Sequence, residues 1–193
     1  MNILRPPARQ PMPEDAQLVF KGAMFDVYQW QQQLYNGQTA TFEKIRRPDT
    51  VLVIPVMDDG RIVLAEQEQP GVAPFVGALG GRIDPGETVE AAASRELAEE
   101  AGMQASGWQL LLASQPSSKI DWAIYTLIAK GCRQIGGQTL DGGEKINLKF
   151  LTFEEFVATV TAPTFDDHEI KMEFLQARLD PARLAVLKAA LRG

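Results

Sequence analysis

Between Thr88 and Gly102 the chain reads as one capped helix whose polar stripe is built from three glutamates, and this constrains the fold more than any other feature. Thr88 can accept a hydrogen bond at the start, and Gly102 can close the end in a left-handed conformation. The interior is rich in Ala, Leu and Glu, all good helix formers. Glu96, Glu99 and Glu100 stand at i, i+3 and i+4, so they fall within an arc of about 100°. Like charges at that spacing destabilise a helix by roughly 0.2–0.5 kcal/mol per pair. Such a stripe is either a solvated face or a place that holds a cation, and oxygen-only ligands favour Mg²⁺ or Mn²⁺ over zinc. Arg95 lies one turn before Glu99 and can pair with it. The small residues Ala91, Ser94, Ala98 and Ala101 are expected to form the opposite face, packed closely on a sheet.

Strands surround this helix. Residues 1–16, with Pro6, Pro7, Pro11 and Pro13, read as an extended lead-in with the character of a mobile segment. Gln17–Lys21 and Phe25–Leu34 are β-rich, Asn36-Gly37 is a hairpin turn, and Thr39–Arg46 is the return strand. Val51–Val56 is continuously apolar, the pattern of a strand covered on both faces, and Asp58-Asp59-Gly60 turns it into Arg61–Gln67. Pro70–Gly86 is rich in Gly and Pro and shows no periodicity. Strands return at Trp108–Ser114, Trp122–Ala129 and Lys145–Phe150. Thr152–Val160 opens with a Thr-x-x-Glu cap and reads as helix, and Asp167–Leu191 reads as two helices parted near Asp180-Pro181. Strands, helix, strands, helices is an α+β or sandwich order, divided into an arm over residues 1–48 and a domain over 49–193.

Composition removes several function classes. With 193 residues, 45% of them hydrophobic and 23% charged, the chain is neither disordered nor fibrous. The net charge of −6 disfavours a general nucleic-acid binder. One cysteine, Cys132, and one histidine, His168, exclude an internal disulfide and argue against a Cys/His zinc site. Cys132 has no basic neighbour in sequence, as a nucleophile would need, and His168 reads as an exposed residue near a helix start rather than a general base. No apolar run approaches the roughly 18 residues of a membrane span, and the first residues lack an apolar core of signal-peptide length. A cytoplasmic protein is therefore expected, with no nucleic-acid or membrane partner.

The segment Gly81 to Met103 has the form G-x5-E-x7-R-E-U-x-E-E-x-G-U, where U is aliphatic or Met: Gly81, Glu87, Arg95, Glu96, Leu97, Glu99, Glu100, Gly102 and Met103. This resembles the Nudix box without departure, and the surrounding strand order is similar to the family's α/β/α sandwich with a mixed sheet, here preceded by an antiparallel β arm. The resemblance implies hydrolysis of a nucleoside diphosphate linked to another group. It implies metal ligation by Glu96, Glu100 and the Gly80 carbonyl, with Glu99 a further ligand or its orienter. It also implies that Glu87 and Arg95 brace the loop and helix, Arg95 counting with the catalytic set.

The flanks resemble the ADP-ribose pyrophosphatases and related nucleotide-sugar hydrolases. Thr41 to Arg47 is similar to their aromatic-Glu-x-x-x-Arg strand, which implies base stacking by Phe42 and substrate binding by Glu43 and Arg47, with Phe25 a second stacking candidate. Ordinary core packing is the alternative for both phenylalanines. The subgroup is dimeric, which implies a homodimer whose arms reach the partner's site. Gln67-Glu68-Gln69 stands where the group usually has Gln-aromatic-Arg, and Pro116 lies three residues early, so ADP-ribose, a GDP-sugar or another nucleotide remain open as substrates. Hydrolysis of nucleoside triphosphates or dinucleoside polyphosphates, and a silent nucleotide-sensing module, are the other readings. Glu144 resembles the subgroup's loop glutamate. Its setting, Asp141-Gly142-Gly143-Glu144, is mobile enough to bring an acid to an attacking water, or is simply a solvated turn.

Overall fold

Three antiparallel-paired strands open the chain: β1 (Gln17–Lys21), β2 (Asp26–Gln33) and β3 (Thr39–Arg46). The computed structural model describes residues 3–192. The expected Asn36-Gly37 turn closes the second hairpin, with Gly37 at φ 81° and Asn36 Oδ1 accepting from the Gln38 N–H at 3.1 Å. Trp30 is 6% exposed and packs on Phe42, giving this small sheet its own apolar contact.

The larger sheet contains β4 (Thr50–Met57), β5 (Ile62–Glu68), β6 (Phe75–Gly77), β7 (Leu79–Arg82), β8 (Met103–Gln104), β9 (Gly107–Ser114), β11 (Ile124–Gln134) and β12 (Lys145–Leu151). β4 pairs parallel with β11, while β5, β7 and β9 join antiparallel, so the sheet is mixed as expected. The helices are α1 (Val89–Ala101), α2 (Phe153–Val160), α3 (His168–Ala177) and α4 (Pro181–Ala190). β4 explains its own continuous apolar run. Val51 and Val53 pack toward α1 with Leu97, while Leu52 and Ile54 pack toward Phe156, Ile170 and Phe174. One helix covers one face and three cover the other, an α/β/α sandwich of α+β class.

The caps read in the sequence form. Thr88 Oγ1 accepts from the Ala91 N–H at 3.2 Å, Gly102 adopts φ 63°, and Thr152 with Glu155 makes a full capping box.

Two expectations are corrected, for α1 and the lead-in, and one aperiodic stretch gains structure. Pro70–Gly86 carries β6, paired with β5, and β7, paired with β4. Their stability comes from partners distant in sequence, so local periodicity does not betray them. The packed face of α1 is Ala92, Ala93, Leu97 and Ala101, while Ala91 and Ser94 are exposed. The acidic stripe therefore borders the buried face instead of opposing it, and Glu96 and Glu100 go down with that face. Among its described residues, 3–16, the lead-in has no regular structure but is fastened. Arg5 Nε donates to Asp49 at 2.8 Å, Arg5 Nη1 reaches Asp121 at 3.0 Å, and buried Lys44 donates to the Gln10 carbonyl at 2.6 Å.

β10 (Ile120–Asp121) is a short strand without a sequence signal. It pairs parallel with β3 at Ile45 and Arg46, and so stitches the arm's sheet to the segment that becomes β11.

Candidate active site

Arg95 organises one edge of α1. Its Nε and Nη2 each donate to Glu87 at 3.1 Å, and Nη2 also reaches the Arg82 carbonyl at 3.0 Å. Its Nη1 donates to Glu96 at 2.7 Å and to Glu99 at 3.1 Å. Glu87 in turn accepts from the Asp84 N–H at 3.1 Å. The loop before the helix is thus tied to the helix by a single guanidinium, and the hydrogen bonds to Arg95 hold Glu87 below the usual carboxylate range.

Glu96 and Glu100 are 8% and 4% exposed, unusually deep for carboxylates. Glu100 Oε2 accepts from the Gly80 N–H at 2.7 Å. Burial pushes the Glu100 carboxyl up to about 8 against that hydrogen bond, and the charges of Glu96, Glu144 and Glu99 add to the shift. Burial raises Glu96 as well, against the pull of Arg95. This depth depends on two glycines in β7. A Cβ at Gly81 would fall on the Glu96 carboxylate, and one at Gly80, where φ is 140°, would fall on the Val51 carbonyl.

The expected crowding of three carboxylates takes a different form here. Among the described residues, no three Asp, Glu, His or Cys side chains are gathered as a ready cation site. Arg95 draws Glu96 and Glu99, and the Gly80 N–H draws Glu100. The donor set still fits a hard divalent cation, because every side-chain donor is a carboxylate oxygen. Two of those carboxylates are also buried at raised pKa, where added positive charge relieves their repulsion.

These groups line a cavity of about 450 Å³ shared with Glu144, Asp141, Thr139, Met24 and Arg47. The loop that brings Glu144 is anchored to the end of α1: the Thr139 N–H donates to the Glu99 carbonyl at 2.7 Å and Gln138 Nε2 to the Glu100 carbonyl at 2.6 Å. The Glu144 N–H then closes a turn on the Asp141 carbonyl at 3.0 Å. Asp141, read in the sequence only as turn chemistry, lines the same cavity.

The residues expected to bind substrate divide. Arg47 lines the cavity, and its guanidinium carbon lies 4.4 Å from the Trp122 ring centroid and 5.9 Å from that of Phe25. Phe42 and Glu43 do not line it. Phe42 packs against Trp30 with Lys119 over its ring at 5.1 Å, and Glu43 accepts from Gln29 Nε2 at 2.7 Å. His168 begins α3 in an exposed position, away from the cavity. Cys132 is buried, its Sγ donating to the Ala129 carbonyl at 3.3 Å, and burial raises the thiol to about 11, so it is no nucleophile. Sequence reasoning assigned no site role to Met24, Thr139, Asp141 or Trp122. Only Asp141 had a signal, being adjacent to the glycines that free Glu144.

A family model described as NUDIX domain matches residues 46–174. A curated relative, "ADP-ribose pyrophosphatase" of Bacillus subtilis (strain 168), is 34% identical over 145 residues, covering 74% of this chain and 78% of its own. "Methanol dehydrogenase activator" of Bacillus methanolicus is 29% identical over 164 residues, covering 82% and 88%. A solved structure titled "Crystal structure of ADP compounds hydrolase" superposes with a TM-score of 0.70 at 21% identity, covering 92% of this chain and 98% of that one, and shares the fold. The chain belongs to the Nudix family. Within it, the chain stands with the pyrophosphohydrolases similar to ADP-ribose pyrophosphatases. Among the described residues no helix is long and apolar enough to cross a membrane.

Proposed function

We propose that this protein hydrolyses the pyrophosphate bond of a nucleoside diphosphate sugar, with ADP-ribose the lead substrate and AMP and ribose 5-phosphate the products. The observation that carries this reading is the meeting of Arg47 with Glu96, Glu99, Glu100 and Glu144 in one cavity. A diphosphate needs cationic contacts for its oxygens and carboxylates to manage cation and water, and the cavity offers both. The name of the Bacillus subtilis relative supports the choice of substrate.

Glu96, Glu100 and the Gly80 carbonyl would hold Mg²⁺, or Mn²⁺, with Glu99 a further ligand. A bound divalent ion neutralises phosphoryl charge and eases ionisation of water near neutral pH. Arg95 keeps Glu96 and Glu99 in reach of the cavity, and Arg47 takes a phosphate oxygen. Glu144 aligns the attacking water and accepts its proton. Phe25, beside Arg47, stacks near the bound nucleotide, and Phe42 and Glu43, which do not line this chain's cavity, act in trans on the partner subunit's site.

The same reading makes the protein a cytoplasmic homodimer. β1 is an edge strand exposed along its length, with Leu18, Val19 and Phe20 at 47%, 51% and 60% exposure. Such an edge is better satisfied against a second subunit. Light scattering at micromolar concentration should give twice the chain mass, and a monomer removes this part of the reading.

The substrate test is a chromatographic assay of the product nucleotides across nucleotide sugars, nucleoside triphosphates and dinucleoside polyphosphates with Mg²⁺. ADP-ribose should give the highest kcat/KM, and a preference for a triphosphate overturns the proposal. A second activity, stimulation of a dehydrogenase, has support in the name of the Bacillus methanolicus relative. It is tested by adding the protein to a methanol dehydrogenase assay.

A further inference from the structure

Arg82 and Arg95, the other arginines lining the cavity, are both held by carboxylates, Asp84 for the first and Glu87, Glu96 and Glu99 for the second. Arg47 forms none among the described residues, although it lines a cavity rich in acids, and its Nε is buried with no hydrogen-bond partner. What fixes it is the face of Trp122, 4.4 Å from the guanidinium carbon. The indole is itself fixed, since Trp122 Nε1 donates to Thr50 Oγ1 at 2.9 Å. The backbone on either side is pinned too. The Thr50 N–H donates to the Ala123 carbonyl at 2.9 Å, and the Ala123 N–H to Asp49 Oδ1 at 2.8 Å.

We infer that Trp122 is a positioning residue that aims Arg47 at the anionic part of the substrate, with Thr50 setting the plane of the indole. This deepens the proposed reading of the cavity as a diphosphate site and rests on it. The physical argument concerns what each kind of clamp leaves free. A carboxylate clamp uses the guanidinium donors and neutralises the charge, so an incoming phosphate must compete with it. A π-face holds the group by its flat side and leaves the in-plane N–H donors and the charge available. The buried, unpartnered Nε fits a site awaiting an acceptor, because a desolvated donor gains most from an oxygen brought to it. Trp122 is thus a way to hold a cation beside four glutamates without surrendering it to any of them.

The test is a double-mutant cycle read by calorimetric binding of inorganic pyrophosphate to the full chain with Mg²⁺. Arg47→Ala should weaken binding by roughly tenfold or more. Trp122→Leu should reproduce most of that loss with Arg47 still present, and Trp122→Phe, which keeps a ring, should stay within about threefold of wild type. The double variant Arg47→Ala/Trp122→Leu should bind no more weakly than Arg47→Ala alone, because one change already removes what the other acts through. Thr50→Val, a milder probe should Trp122→Leu fail to fold, should weaken binding by about threefold, and have no effect once Arg47 is gone. Additive losses, a Trp122→Leu or Thr50→Val variant that binds like wild type, or a wild-type chain that does not bind pyrophosphate each overturns the inference. Intact coupling without turnover of any nucleotide sugar would instead reject the substrate reading and leave the Trp122–Arg47 unit standing.

Discussion

The two helical layers on this sheet are built to opposite rules. On one face α2, α3 and α4 bury Phe156, Phe174, Ile170 and Leu187, and the Phe156 and Phe174 rings meet edge to face at 5.2 Å. On the other, α1 alone covers the sheet with alanines and one leucine, and takes Glu96 and Glu100 down beside them. Aromatic burial of the first kind stabilises strongly. Buried carboxylates of the second kind oppose folding unless charge is supplied to them. The contrast shows that one layer supplies the stability that lets the other carry acids at raised pKa.

The largest effect should come from the loop that completes the second layer. Glu144→Gln is expected to lower kcat by roughly 10²–10⁴ with little change in KM or thermal stability, since a loop acid contributes little to packing. Asp141→Asn, in the same cavity, should have the smaller effect. Equal and mild effects would return Glu144 to the turn.

Phe174→Ala probes the opposite layer. It should remove about 3–5 kcal/mol of stability in urea unfolding and leave KM near wild type below the unfolding range. A large KM change there would show that the layers are not separable.

Glu100→Gln should lower the rate by at least about 100-fold, near 3 kcal/mol, while the metal-free protein above pH 8 unfolds at the same or a higher temperature, because there the buried carboxyl is charged and the amide is not. Loss of stability equal to that of Phe174→Ala would end the comparison.

The smallest effect, pH-dependent, lies on the apolar side. Asp167, before α3, is half-buried and its carboxylate accepts from the Ala78 N–H at 2.7 Å. Burial raises its carboxyl to about 6, with Asp166 and Glu169 adding to the shift and His168 opposing it. The folded state therefore holds its proton where the unfolded chain has lost it. Stability from this group is complete below about pH 4 and is lost as pH rises through 6, by at most roughly 3 kcal/mol. Asp167→Asn should gain on wild type over that interval in urea unfolding, and a pH-independent difference rejects the assignment.

Much of this was legible because it is local. Thr88, Gly102 and Thr152 act on backbone within one turn, and the Gly81–Met103 spacing places carboxylates without knowledge of any other segment. Val51–Val56 announced a strand covered on both faces. The unread parts are those decided at long range. β6 and β7 exist because β5 and β4 are there to pair with them. The buried side of α1 is chosen by the sheet beneath it, to which an alanine-rich helix gives no directional clue. Arg47 was found by its place in a strand pattern, whereas Trp122 meets it from beyond α1 and β9, just before the chain enters β11.

The lead-in clasp has a practical corollary. Arg5 grips Asp49 and Asp121, the immediate neighbours of Thr50 and Trp122. Trimming the first dozen residues as a dispensable tail would release both ends of that grip beside Trp122, on which Arg47 rests. A shortened chain can then score as a poor enzyme with every glutamate of the site intact, so truncation libraries on this protein should be scored against Arg5→Ala before a weak clone is discarded.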